Sequence, residues 1–128
     1  MKAITRTLAA VLAVGVIAPL PAALAKSPRV IVTGQCAGPG NSTAKLKLKP
    51  ENGKIEVEFE VDQNRNGVSW KYTLTRAGAK IASGTKVTVG PSGSWTARRV
   101  VSNAAGPDTI TARATRANGE VCTLRATL

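Results

Sequence analysis

Between Ala44 and Val61, apolar and charged residues change places at almost every step: Ala44-Lys45-Leu46-Lys47-Leu48-Lys49, then Lys54-Ile55-Glu56-Val57-Glu58-Phe59-Glu60-Val61. A period of two belongs to a strand with one buried face; on a helix the same charges would be scattered around every side. The first arm carries Lys and the second Glu, so an antiparallel hairpin sets opposite charges beside each other on its wet face. Pro50-Glu51-Asn52-Gly53 reads as a four-residue loop, because Pro presets a turn and Gly accepts a positive φ. That loop places Lys49 opposite Lys54, Leu48 opposite Ile55, Lys47 opposite Glu56, Leu46 opposite Val57, Lys45 opposite Glu58 and Ala44 opposite Phe59. A slip of one residue would bury the charges. The Lys and Glu pairs, at about 0.2 to 1 kcal/mol each, therefore select the register. The apolar face supplies the stability.

Ahead of this hairpin, Met1 to Ala25 carries Lys2 and Arg6, an apolar run from Leu8 to Leu20, and then Ala23-Leu24-Ala25. Residues 1–25 thus read as a cleavable signal peptide ending in a small-x-small cleavage site. The apolar run is shorter than the ~20 residues of a membrane span, and no second run follows. With no Cys after the cut and no twin arginine, Sec export of a soluble product is expected, with no stable membrane insertion. Removing 25 of the 128 residues leaves 103, enough for one small domain. The cut takes Lys2 and Arg6 but no acid, so 18 basic and 7 acidic residues become 16 and 7, a net of +9. Such a balance points to polyanions such as wall polymers, nucleic acid or anionic lipid, or to a self-repelling soluble surface. Cys36 and Cys122, the only cysteines of an exported chain, are expected to form one intramolecular disulfide. Two cysteines without any His argue against zinc.

The rest of the chain is read as strands. Residues 26–42 hold one short strand, Val30-Ile31-Val32, expected to be an edge or poorly ordered, and a loose segment; the sandwich domain is placed over 43–128. Val68, Trp70, Tyr72 and Leu74 alternate with polar residues, and Lys80 to Val89 is a weaker pattern, bent or bulged, that contains Gly84. Trp95, Ala97, Arg99 and Val101 share one face of a strand whose phase is hard to set, with an irregularity expected near Arg98-Arg99. Ile110, Ala112 and Ala114 then turn through Ala117-Asn118-Gly119 into Cys122, Leu124 and Ala126, pairing Ala114 with Cys122, Ala112 with Leu124 and Ile110 with Ala126. Leu46, Val57, Phe59, Trp70, Leu74, Ile110, Ala112 and Leu124 are the expected core. No stretch after the leader reads as a helix, and seven or eight short strands in about 100 residues call for an all-β sandwich.

Glu56 to Val61, Ser69-Trp70-Lys71-Tyr72, Gly106-Pro107-Asp108-Thr109-Ile110-Thr111-Ala112 and Asn118-Gly119-Glu120-Val121-Cys122 together carry a resemblance. From about residue 34 to 128 the chain resembles the immunoglobulin-like and fibronectin type III-like domains of bacterial exported proteins. In particular, it resembles small secreted actinobacterial proteins of uncharacterised function. It lacks the strand cysteines of antibody domains, so antigen-type recognition is not implied. The resemblance implies that the Glu56 strand shares a sheet with the Lys45 and Trp95 strands, and that the Trp70, Ile110 and Leu124 strands form the other.

Catalysis finds few parts. The chain has no His, so no imidazole base, and Glu56, Glu58 and Glu60 are cross-strand partners of cations; the chain is not expected to be an enzyme. Asp62-Gln63-Asn64-Arg65-Asn66-Gly67 opens like a calcium loop, but Thr73 stands where a bidentate Glu is needed. It reads as a polar turn, and no metal or cofactor is expected. Of Phe59, Trp70, Tyr72 and Trp95, only Trp95 is a candidate for an exposed ring of the kind sugar-binding sandwiches use, and core is the better reading for it.

The expected function is an exported, non-catalytic, monomeric binding or structural module, secreted or loosely wall-associated. Its expected partner is an anionic cell-wall polymer or an extracellular protein. The alternative is a cationic effector acting on competitor envelopes or nucleic acid. Combining strand phase with the implied topology leaves the first sheet's face nearly neutral. The second keeps Lys71, Arg113 and Arg125 among threonines with no acid between them. These three are the candidate polyanion-binding residues.

Overall fold

The computed structural model describes Gly15 and residues 28–128; the signal peptide expected over residues 1–25 lies, Gly15 aside, outside them. Each alternating stretch forms a strand: β1 (Val30–Gln35), β2 (Thr43–Glu51), β3 (Lys54–Asp62), β4 (Ser69–Arg76), β5 (Ala79–Val87), β6 (Ser94–Ser102), β7 (Thr109–Thr115) and β8 (Val121–Thr127). They make two antiparallel four-stranded sheets, ordered β1-β2-β3-β6 and β5-β4-β7-β8. The described residues contain no helix. The strands expected to share a sheet do so: β2, β3 and β6 in one, β4, β7 and β8 in the other. The short strand at Val30–Val32 extends to Gln35 and edges the first sheet.

The β2–β3 register corrects the expectation by two residues. Lys49 faces Glu56, Leu48 faces Val57, Lys47 faces Glu58, Leu46 faces Phe59 and Lys45 faces Glu60. The loop is two residues long, because Asn52 and Gly53 both take positive φ, 51° and 75°, the backbone of a turn whose twist matches a hairpin. Glu51 pairs with Lys54 beside the turn, which leaves Pro50 and Ile55 as a non-hydrogen-bonded pair. On its other side β1 begins only opposite Leu48, so the missing N–H of Pro50 costs no ladder bond. A two-residue shift moves no side chain to the other face, which is why the expected core survives it.

Leu46, Val57, Phe59, Trp70, Leu74, Ile110, Ala112 and Leu124 are all buried between the sheets, with Leu48, Ile55, Val61 and Ala97. Trp95 is buried too, its ring 5.4 Å edge-on from Phe59, 5.6 Å from Tyr72 and 6.5 Å from Trp70. Gly84 lies opposite Tyr72, and a Cβ there would come within 3.1 Å of the Tyr72 ring. The irregularity expected near Arg98-Arg99 is absent: β6 pairs with β3 without a break from Ser94 to Ser102. Arg99 keeps inward parity yet is exposed, since β6 is an edge strand and a long side chain there can reach past the rim. The weak pattern of β5 does contain a bulge, with Ile81 unpaired between the Leu74–Ala82 and Thr75–Lys80 pairs.

The two sheets are also joined covalently. Cys36, one residue past β1, is bonded to Cys122 in β8, with Cα atoms 4.2 Å apart. Beside the bond, Ala37 and Val121 exchange two backbone hydrogen bonds of 2.7 and 2.9 Å. The β7–β8 hairpin carries the expected pairs Ala114–Cys122, Ala112–Leu124 and Ile110–Ala126.

Candidate functional site

Alternation decides which charges reach water, and it treats the sheets differently. On the outer face of the first, Lys45, Lys47, Lys49, Lys54 and Arg98 meet Glu51, Glu56, Glu58, Glu60 and Asp62, five charges against five. They are close enough to pair: Lys47 Nζ lies 3.5 Å from Glu58, Lys45 Nζ 4.0 Å from Glu60 and Lys49 Nζ 3.9 Å from Glu51. Arg98 bridges Glu56 and Glu58.

The second sheet places Lys71, Arg113 and Arg125 together on its outer face, all exposed. Lys71 is opposite Thr115; Arg113 is flanked by Thr73 and Thr123; Arg125 is opposite Thr111. The three cations therefore stand in a diagonal stripe across β4, β7 and β8, each step about 7 to 8 Å. Lys80, opposite Thr75, adds a fourth. No carboxylate stands on β4, β5, β7 or β8, and the hydroxyls of Ser69, Thr73, Thr75, Thr111, Thr115 and Thr123 fill the positions between.

The two acids nearest this sheet are turned inward at its ends. Asp108 accepts from Arg76 Nε at 3.0 Å and is also bonded by Arg76 Nη2; Arg76 Nη1 reaches the Ser102 carbonyl at 2.6 Å. At the other end Glu120, fully buried, accepts from Arg116 Nε at 2.7 Å, Ser42 Oγ at 2.9 Å and the Ser42 backbone N–H at 3.1 Å. Burial alone would push the Glu120 carboxyl up. The bonds from Arg116 and Ser42, with the Arg116 charge, outweigh it and hold the group below its ordinary value.

These pairs escaped the reading of the sequence, although parity contains the signal. Arg116 continues the inward series Ile110, Ala112, Ala114, and Glu120 precedes the inward series Cys122, Leu124, Ala126. Likewise, Arg76 continues Trp70, Tyr72, Leu74, and Asp108 precedes Ile110. An ionised side chain on a buried parity must find an opposite charge, so the four residues could have been matched two by two.

Around Arg116 the loops β1–β2, β3–β4 and β7–β8 meet. The guanidinium carbon sits 5.6 Å from the Trp70 ring centroid, and Trp70 Nε1 donates to Gln63 Oε1 at 3.1 Å. A polar cleft of about 420 Å³ opens here between Asn41, Gln63, Asn64, Arg65, Arg116 and Asn118. A second groove, about 320 Å³, runs from Arg116 to Lys71 and so joins the cleft to the basic sheet face. The turn expected over Asp62–Gly67 forms one wall, with Asp62 Oδ1 accepting from the Asn64 backbone N–H at 3.2 Å. Among the described residues no three His, Cys, Asp or Glu side chains are grouped to hold a metal ion, and no helix is long and apolar enough to cross a membrane.

No protein-family model matches this sequence, and no curated protein matches it either. Among solved structures, the chain is similar to that of chicken MD-1 complexed with lipid IVa at 12% identity. The match covers 77% of this chain and 97% of that one, with a TM-score of 0.28. A likeness that distant carries no weight for fold type or ligand.

Proposed function

We propose that this chain is an exported, non-catalytic binding module, an immunoglobulin-like or fibronectin type III-like sandwich that holds anionic cell-wall polymers on its second sheet. The observation that supports the reading is the segregation of charge: five cations against five acids on one outer face, and Lys71, Lys80, Arg113 and Arg125 with no acid on the other. A polymer of repeating phosphates or carboxylates lies across such a stripe without meeting a like charge. Guanidinium forks take its oxyanions in pairs, and threonine hydroxyls bond what lies between. The disulfide suits the oxidising space outside the membrane in which such a module works.

The test is retention of the oxidised protein on a phosphate-bearing wall polymer. Retention should fall between about 0.1 and 1 M salt, as the screening length shrinks from about 10 to 3 Å. Replacing Lys71, Arg113 and Arg125 together by Ala should remove most of it, whereas the same treatment of Lys45, Lys47 and Lys49 should not. Equal losses from the two triples would mean that net charge alone acts and that no face is specialised.

A further inference from the structure

We propose that the cleft at the Arg116 end of the sandwich is a separate site for an acidic saccharide, taking the carboxylate or phosphate of a sugar on Arg116 and Arg65 and its hydroxyls on the surrounding carboxamides. Arg116 is held from two directions. Its Nε is spent on Glu120, and its plane lies over Trp70. Both Glu120 oxygens are taken in turn by Arg116 and Ser42. The guanidinium is thus held in place, while no acceptor among the described residues bonds Nη1 or Nη2. A guanidinium anchored by one edge and unpaired along the other is a preorganised oxyanion fork.

Gly40 packs directly on this pair: its φ is 115°, and a Cβ there would fall 2.6 Å from Glu120 Oε2 and 2.7 Å from Arg116 Nη2, so any larger residue would displace the carboxylate or the guanidinium. Across the cleft, Gln63 accepts from Trp70 Nε1 through its side-chain oxygen, and its amide nitrogen has no partner among the described residues. Asn118 is a strut, donating to the Pro39 carbonyl at 3.2 Å and accepting from the Glu120 backbone N–H at 2.9 Å. Asn41, Asn64 and Arg65 are exposed, and their side chains bond no described residue.

Ligand class follows from the donor set. Two arginines with no carboxylate in the lining call for an oxyanion; Glu120, the nearest acid, is buried behind Arg116 with both oxygens engaged, and Asp62 lines the adjoining smaller depression and accepts from the Asn64 backbone N–H. Carboxamides both donate and accept, the need of a ring of hydroxyls rather than of an apolar or purely anionic ligand. The volume, about 420 Å³, falls in the range of small-molecule sites and suits one or two sugar rings rather than a polymer. This proposal does not rest on the sheet-face reading.

The experiment is an NMR titration of the oxidised protein with glucuronic acid, glucose 6-phosphate and glucose, up to about 50 mM. One or both anionic sugars should shift the side-chain amides of Asn41, Gln63 and Asn64 saturably, the tighter one naming the oxyanion, with glucose at least about tenfold weaker. Arg65→Ala should weaken binding about tenfold, as should Arg116→Lys, which keeps a charge beside Glu120 but loses the fork. The Lys71, Arg113 and Arg125 triple variant should bind the sugars as the parent does, which separates this site from the sheet face. Arg65 makes no side-chain bond among the described residues, so Arg65→Ala tests the site even if Arg116→Lys lowers stability. Absence of saturation, an equal response to glucose, or shifts confined to the sheet face would overturn the proposal.

Discussion

The two sheets carry similar numbers of outward cations and differ in what stands beside them. In the first, every Lys of β2 has a Glu opposite it, and Arg98 of β6 leans over two of the same glutamates, Glu56 and Glu58. In the second, the neighbours of Lys71, Arg113 and Arg125 are threonines, and the associated acids, Asp108 and Glu120, are buried at the ends of β7 and β8. Acids on the first face therefore select a register, and those of the second close off the ends of a core. The same residue types do two jobs, and burial decides which. One face has cancelled its field, whereas the other keeps its own for whatever approaches it.

The largest test of this contrast cuts the link between the sheets. Cys36 and Cys122 enclose a loop with a sequence separation of 86, for which the chain-entropy relation gives about 4.6 kcal/mol. Reduction, or a double Ser variant, should lower the melting temperature by well over ten degrees for a domain of this size. An unchanged melting curve would mean that the packed core holds the sheets without the bond. Thiol labelling of the unreduced, unfolded protein would separately show whether the bond forms at all.

Next comes the division of labour between acids. Glu120→Gln leaves Arg116 without its charge partner at a buried site, an expected loss of about 3 kcal/mol at neutral pH. Glu58→Gln, on the wet ladder, should cost less than about 1 kcal/mol. The pH dependence has a definite sign. Because the folded Glu120 carboxyl is held below its ordinary value, its contribution is complete above the unfolded value and disappears as pH falls through the folded one. The gap between parent and Glu120→Gln should therefore close below about pH 4. Urea unfolding at several pH values measures it; a gap that stayed constant into acid would show that the carboxylate charge is not what stabilises that end.

What the sequence made legible follows the same contrast. Alternation over Ala44–Val61, and the pairing of Ala112 with Leu124, were readable because a period of two permits only one face to be buried. The hairpin register was not, because Pro50 has the look of a turn residue. Only the backbone shows Asn52-Gly53 making the whole turn while Pro50 sits where no N–H is needed. Parity protected the core list from that error. It could not by itself locate the cleft, since Asn41, Gln63, Asn64, Arg65 and Asn118 come from three loops whose approach depends on Cys36–Cys122 and on the bonds of Ser42 to Glu120.

The finest test reverses a single charge on each face, and the two effects should differ in sign. Glu58 stands between Lys47 and Arg98, 3.5 Å from each, so Glu58→Lys gathers three cations in one row and should cost about 1 kcal/mol at low salt. Arg113 stands diagonally between Lys71 and Arg125 with threonines on either side. Arg113→Glu therefore exchanges two repulsions for two attractions and should be neutral or stabilising by about 0.3 kcal/mol. Raising salt to about 1 M should shrink both differences, because the charges are close to water and the screening length falls to about 3 Å. Urea midpoints at low and high salt read both. If Arg113→Glu instead destabilises as much as Glu58→Lys, the stripe on the second sheet is structurally compensated, and its field is not free to act on a partner.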